Sequence, residues 1–221
     1  MVSEVERALV SDLRIATAVR LLTALDVRIE MRLIAPTAGA PSVRDRAHAR
    51  CVAYVARRMA ESGWLVATEV EAGDQRWHGF IDVLAYHPVD QVLLVIEIKV
   101  DLDDIGAVDR QLGVYERLAW EAAHALGWRP RAMTGALLLL ATDVNDRRSV
   151  EHRSYLDRRF HIRANALRAL IADPSTPPAR GVRCLAMIDP RTRRTRWLMP
   201  TWLDGRRNAT RYKDRAAFLA A

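Results

Sequence analysis

The stretch LLVIEIKV, residues 93–100, is apolar except for Glu97 and Lys99. Strand side chains alternate faces, so Glu97 and Lys99 share one face and Ile96 and Ile98 the other. Charges in so apolar a segment are costly unless they are paired or hold a metal. Asp82, in GFIDVLA, precedes Glu97 by 15 residues, on a strand that a short turn would set beside the first. Two carboxylates and an ammonium on one sheet face follow the logic of a hard-cation site. Mg²⁺ (or Mn²⁺) takes oxygen ligands, keeps several waters and bridges to substrate phosphate. In this reading Asp82, Glu97 and the Ile98 carbonyl ligate the metal, and Lys99 positions a nucleophilic water. The plain alternative for Glu97 and Lys99 is a strand-end salt bridge. Asp82, a third charged group at the right place, argues against it.

The surrounding pattern says what must position these groups. Residues 11–25 have helical apolar spacing behind a Ser11 cap, and 27–33 alternate as a strand. APTAGAPS, 35–42, is a linker by composition, dividing an N-terminal segment (1–36) from a main domain (42–221). A helix over 43–62 follows, capped by Ser42, with Asp45, His48, Val52, Val55 and Met59 on one stripe. Three strands, WLVATEVEA, WHGFIDVLAYH and VLLVIEIKV, are joined by turns short enough for antiparallel hairpins. A long helix at about 103–126, inward at Ile105, Val108, Leu112, Leu118 and Ala122, stops at Gly127. MTGALLLLAT reads as a buried strand that pairs parallel, since a helix precedes it. A basic helix over 147–172 and a hairpin turning at DPRT complete the chain. The fold class is α/β: an antiparallel three-strand meander plus a parallel strand, flanked by helices.

Element order and motif together resemble the PD-(D/E)xK nuclease superfamily, with Asp82 matching its aspartate and Glu97-Ile98-Lys99 its ExK. The resemblance implies a restriction-endonuclease-like core and a metal-dependent phosphodiester hydrolase. It also implies an acid on the first core helix. Asp45 is the candidate there, with a helix-capping role as its alternative, while Glu69 or Glu71 on the first strand could serve instead. Gln111 and Tyr115 match a Q-x-x-x-Y pattern of exonuclease-like branches and are candidates for touching nucleic acid or supporting the site. The main domain is similar to the nuclease-like half of actinobacterial proteins that begin with a repressor-type helix-turn-helix. Here only about a last helix and strand of such a module precede the linker, which suits docking or homodimerisation.

Charge distribution points the same way. Of the net +7, all comes from 191–215, which holds nine basic residues against two acids. Arg191, Arg193, Arg194 and Arg196 lead this patch, with Trp197, Trp202 and Tyr212 interleaved, a composition that attracts nucleic acid, DNA by the resemblance. A solvated basic tail is the competing reading. No apolar run reaches the roughly 20 residues of a membrane span, and no signal peptide is legible, so a cytoplasmic protein is expected. Cys51 and Cys184, two and far apart, fit reduced thiols. The expected activity is nuclease; the alternative is a DNA-binding or regulatory protein that keeps the fold and cuts nothing, and a toxin-like component held by a partner ranks third.

Overall fold

The structure, a computed structural model, describes residues 23–24, 43–73, 78–206 and 208–221. The readings of 11–25 as helix and 27–33 as strand fall outside these residues, apart from Thr23 and Ala24, which are helical. The Ser42 cap and the GDQR turn after Gly73 also lie outside them. Pro41–Ala221 forms one unit.

Within it, helix α1 (Val43–Glu61) leads to strands β1 (Leu65–Gly73), β2 (His78–His87) and β3 (Val92–Lys99). Helix α2 (Ile105–Ala125) carries the chain to β4 (Ala132–Leu140). Helices α3 (Asp143–Glu151) and α4 (Arg153–Arg159), strand β5 (Ile162–Arg163) and helix α5 (Ala164–Ala172) follow. Strands β6 (Arg183–Ile188) and β7 (Leu198–Met199), a 3₁₀ turn and helix α6 (Arg215–Ala220) close it. All the strands join one mixed sheet, ordered β1-β2-β3-β4-β6-β5, with β7 pairing β6. The β1–β2–β3 meander is antiparallel, and β3–β4, β4–β6 and β5–β6 are parallel. The fold is thus α/β, a mixed sheet flanked by helices.

Two apolar layers sandwich the sheet. On one face Ala47, Cys51, Val55 and Met59 of α1, with Leu167 and Ile171 of α5 and Phe218 of α6, cover Val83, Leu94, Ile96 and Ile98. On the other, Leu112, Tyr115 and Ala119 of α2, with Leu156 and Phe160, cover Ile81, Leu84, Leu93 and Val95. Strand β3 is central and covered on both faces, which is why it reads as a continuous apolar run. Gly127, at φ 78°, ends α2 in the left-handed conformation that glycine tolerates. Cys51 and Cys184 are unbonded and fully buried, and burial pushes each thiol up to about 12.

Several expectations change. The helix over 147–172 is three helices with a strand between them. The break falls at Phe160, whose ring is fully buried and whose backbone leaves the helical conformation at φ -124° and ψ 86°, after which Ile162 and Arg163 pair with β6. The inward stripe of α2 runs through Tyr115, Ala119 and Ala123, whereas Leu118 and Ala122 are only partly buried. A turn does form at DPRT, where Thr192 N–H donates to the Asp189 carbonyl at 2.9 Å. The chain then loops on to Trp197 before β7, which is two residues long.

Candidate functional site

Residues two apart on a strand share a face, yet Val83 and Ile81 lie in opposite cores, as do Val66 and Val70. Both strands therefore switch faces at one level, that of Asp82 and Glu69. Pairing of β1 with β2 runs on either side of these two, through Thr68–Val83 and Val70–Ile81, but omits them. Glu69 has φ 52°, a left-handed backbone that a non-glycine residue adopts at a cost of ~1–3 kcal/mol. Beside it, the β2–β3 ladder ends at Val83–Ile96 although β3 continues to Lys99. Into that gap Asp82 places its carboxylate, and Oδ2 accepts the Ile98 N–H at 2.6 Å. An extended residue sends its N–H and C=O to the same strand edge, so the Ile98 carbonyl also faces this gap.

Glu97 lies next to it, 1 % exposed. Its Oε1 is 2.5 Å from Lys99 Nζ, while Oε2 is buried with no hydrogen-bond partner. Burial, then the charge of Asp82, push the Glu97 carboxyl up to about 7, against the opposing pull of Lys99. Asp82 Oδ1 meets His48 Nε2 of α1 at 3.2 Å. The Asp82 hydrogen bond raises the His48 pKa over the lowering effect of burial, and the charges of Asp82 and Glu69 add to it. Glu69, though exposed, therefore stands within electrostatic reach of His48.

Lys99 is steadied from α2. Its Nζ donates to Gln111 Oε1 at 3.4 Å, and Gln111 Nε2 donates to the Tyr115 hydroxyl at 2.7 Å. The i, i+4 spacing on the helix makes that bond possible. Tyr115 is only 2 % exposed and lies beneath Gln111, which is half-buried. Burial pushes its phenol up to about 12, keeping it a neutral partner. The loop after Lys99 is anchored by Asn145 of α3, which is fully buried. Its Nδ2 donates to Val100 O at 2.9 Å and Leu140 O at 2.8 Å, and Oδ1 accepts from Leu102 N at 2.9 Å. One side chain thus ties the ends of β3 and β4 together.

The structure thus brings Asp82, Glu97, Ile98, Lys99, Gln111 and Tyr115 together. Asp45 does not take the inward position expected of it: it is exposed in the first turn of α1, and His48, one turn on, is the α1 residue that reaches Asp82. Glu71 is exposed and pairs with His78 at 3.6 Å, opposite Phe80. Of the alternative acids, Glu69 is the one at the level of Asp82. Sequence reasoning noticed His48 without assigning it a role; its place on the same stripe as Val52 and Val55 was the available signal. Nothing in the local sequence marks the backbone of Glu69.

Arg191, Arg193, Arg194 and Arg196 are all exposed. Their loop is held on α1 by Arg58, which donates to the carbonyls of Thr192 and Arg194, and by the Tyr54 hydroxyl. Further along the basic stretch the charges are spent internally: Arg206 pairs with Asp146, Arg215 with Asp101, and Arg211 with Asp189. Trp197 is buried edge-on to Tyr54 and serves packing, while Trp202 is about half exposed.

Among the described residues no group of three or more His, Cys, Asp and Glu side chains forms a ready cage for a metal. Mg²⁺ does not need one, since one or two carboxylates with waters and substrate phosphate suffice. The orphaned Glu97 Oε2 beside Asp82 fits such a cation, because Lys99 engages only Oε1 and a buried carboxylate oxygen without a donor is left unsatisfied. Among the described residues no helix is long and apolar enough to cross a membrane. Comparison with protein-family models and with curated proteins returns no match for the chain, so a functional reading rests on this geometry.

Proposed function

We propose that the chain is a metal-dependent nuclease of PD-(D/E)xK type with a restriction-endonuclease-like core. The observation that carries the reading is the buried, unpartnered Glu97 Oε2 in a cluster with Asp82 and Lys99. Mg²⁺ or Mn²⁺ held by Asp82, Glu97 and the Ile98 carbonyl would polarise a phosphoryl oxygen and acidify water. Asp82 is oriented for this by two contacts, the Ile98 N–H and His48. Lys99, fixed between Glu97 and Gln111, presents an ammonium where negative charge develops on the phosphate. Glu69 supplies the further carboxylate that Asp45 was expected to give. The exposed arginines of the 189–197 loop hold the nucleic-acid backbone by charge.

A second reading has one observation in its favour. Both oxygens of Asp82 are already engaged by protein groups, which suits a DNA-binding or regulatory protein that keeps the fold without cutting. Incubation of the chain with DNA and RNA, each as duplex and single strand, with Mg²⁺ or with EDTA, separates the two. Metal-dependent products lost in Lys99→Ala support the nuclease. Binding of DNA with no products under any metal supports the second reading.

A further inference from the structure

A cavity of about 720 Å³ lies on the far side of α2 from the carboxylates. Trp120 lines it, and at 100° per residue Trp120 stands half a turn around the helix from Gln111. Its lining carries five arginines, Arg110, Arg117, Arg159, Arg180 and Arg183, against two acids, Asp109 and Glu116. Both acids are already engaged. Arg183, almost wholly buried, donates to Asp109 and to Glu116, and Asp109 also accepts from Tyr155 at 2.7 Å and from Arg159 at 3.0 Å. Arg110, Arg117 and Arg180 pair with no carboxylate among the described residues, so their charges face the cavity uncompensated. Guanidinium groups gathered around a concave site match phosphate oxygens through their forked donors. The Trp120 indole adds an aromatic surface, and the volume falls in the range of small-ligand sites.

We propose that this cavity binds a nucleoside polyphosphate, with Arg110, Arg117 and Arg180 on the phosphates and Trp120 against the base. A discrete nucleotide suits a cavity bounded by α2, α4 and the residues before β6 better than a continuous backbone does. The site is independent of the carboxylate cluster, and its test removes metal so that Asp82 and Glu97 cannot contribute.

Calorimetry of the full chain in EDTA tests it with ATP, pyrophosphate, adenosine and a short DNA duplex as probes. ATP binds tightest, pyrophosphate more weakly and adenosine weakest. Arg110→Glu with Arg180→Glu, both exposed positions, weakens ATP more than about tenfold with an unchanged melting temperature. Trp120→Ala brings ATP down to the affinity of pyrophosphate and leaves pyrophosphate itself unaltered. Asp82→Ala, which touches only the other site, binds ATP as the wild type does. Absence of ATP binding at about 1 mM, equal affinity in the charge-reversed protein, or a duplex that displaces ATP and responds to the same reversals overturns the proposal.

Discussion

Asp82 accepts the Ile98 amide at 2.6 Å at the point where main-chain pairing between β2 and β3 has stopped. A side chain thus replaces a ladder bond, and the gap it spans is where Glu97 and the Ile98 carbonyl meet. Strand geometry and charge placement are the same feature here: without the gap, Asp82 would have no route to both His48 and Ile98.

Asn145 should matter for stability more than any surface residue near the site. Asn145→Ala leaves two buried carbonyls and one buried N–H without partners. A loss of about 2–4 kcal/mol is expected, with the melting temperature lower by roughly 5–12 °C. Thermal unfolding followed by circular dichroism checks it, and Asn145→Asp, which sets a buried carboxylate against two carbonyl oxygens, should cost at least as much.

Glu69 separates strain from chemistry. With φ at 52°, Glu69→Gly should be more stable than Glu69→Ala by about 1 kcal/mol, because only glycine adopts that backbone without cost. Both variants remove the carboxylate, so both should lower metal-dependent activity alike. Paired urea titrations and cleavage assays read the two effects apart.

Gln111 acts through Lys99. Gln111→Ala should lower kcat about 10- to 100-fold with KM little changed, since it orients the ammonium without meeting substrate. A rise in KM alone would place Gln111 in binding instead.

Asp109 gives the stability a definite pH dependence. Burial alone would raise its pKa, but hydrogen bonds from Tyr155 and Arg159 and the charge of Arg183 outweigh this and lower it. A carboxyl with a lowered folded pKa stabilises above its unfolded value, near 4, and loses that contribution as pH falls through the folded one. Asp109→Asn should therefore cost about 1–3 kcal/mol at pH 7, since it removes one of the two carboxylates that pair with the buried Arg183 and leaves Glu116 as the other. The gap to wild type should narrow below about pH 4, measured by melting temperature across pH 3–7.

What the sequence conveyed followed from periodicity. The meander, the parallel β4 and the shared face of Glu97 and Lys99 all arise from a period of two and short turns. Asp82 was legible as a charged group on the neighbouring strand, although it lies one residue past the last paired position, Val83–Ile96. The exposure of Asp45 was not legible, because a helical stripe gives an angle about the axis but not depth. His48, one turn deeper, sits over Asp82. Glu69 reads as an alternative acid, but its backbone, like the role of Asn145, was beyond reach for another reason. A left-handed residue in a strand and an amide bridging two strand ends depend on tertiary neighbours, which no local pattern records.

The central claim is that Asp82 and Glu97 together hold a divalent cation. Calorimetric titration of Mn²⁺ and Mg²⁺ into wild type, Asp82→Ala and Glu97→Ala tests it most directly. One site per chain in wild type, lost in both variants while each stays folded, is the predicted result. No binding to wild type, even with DNA present, or binding that survives both substitutions, would contradict it.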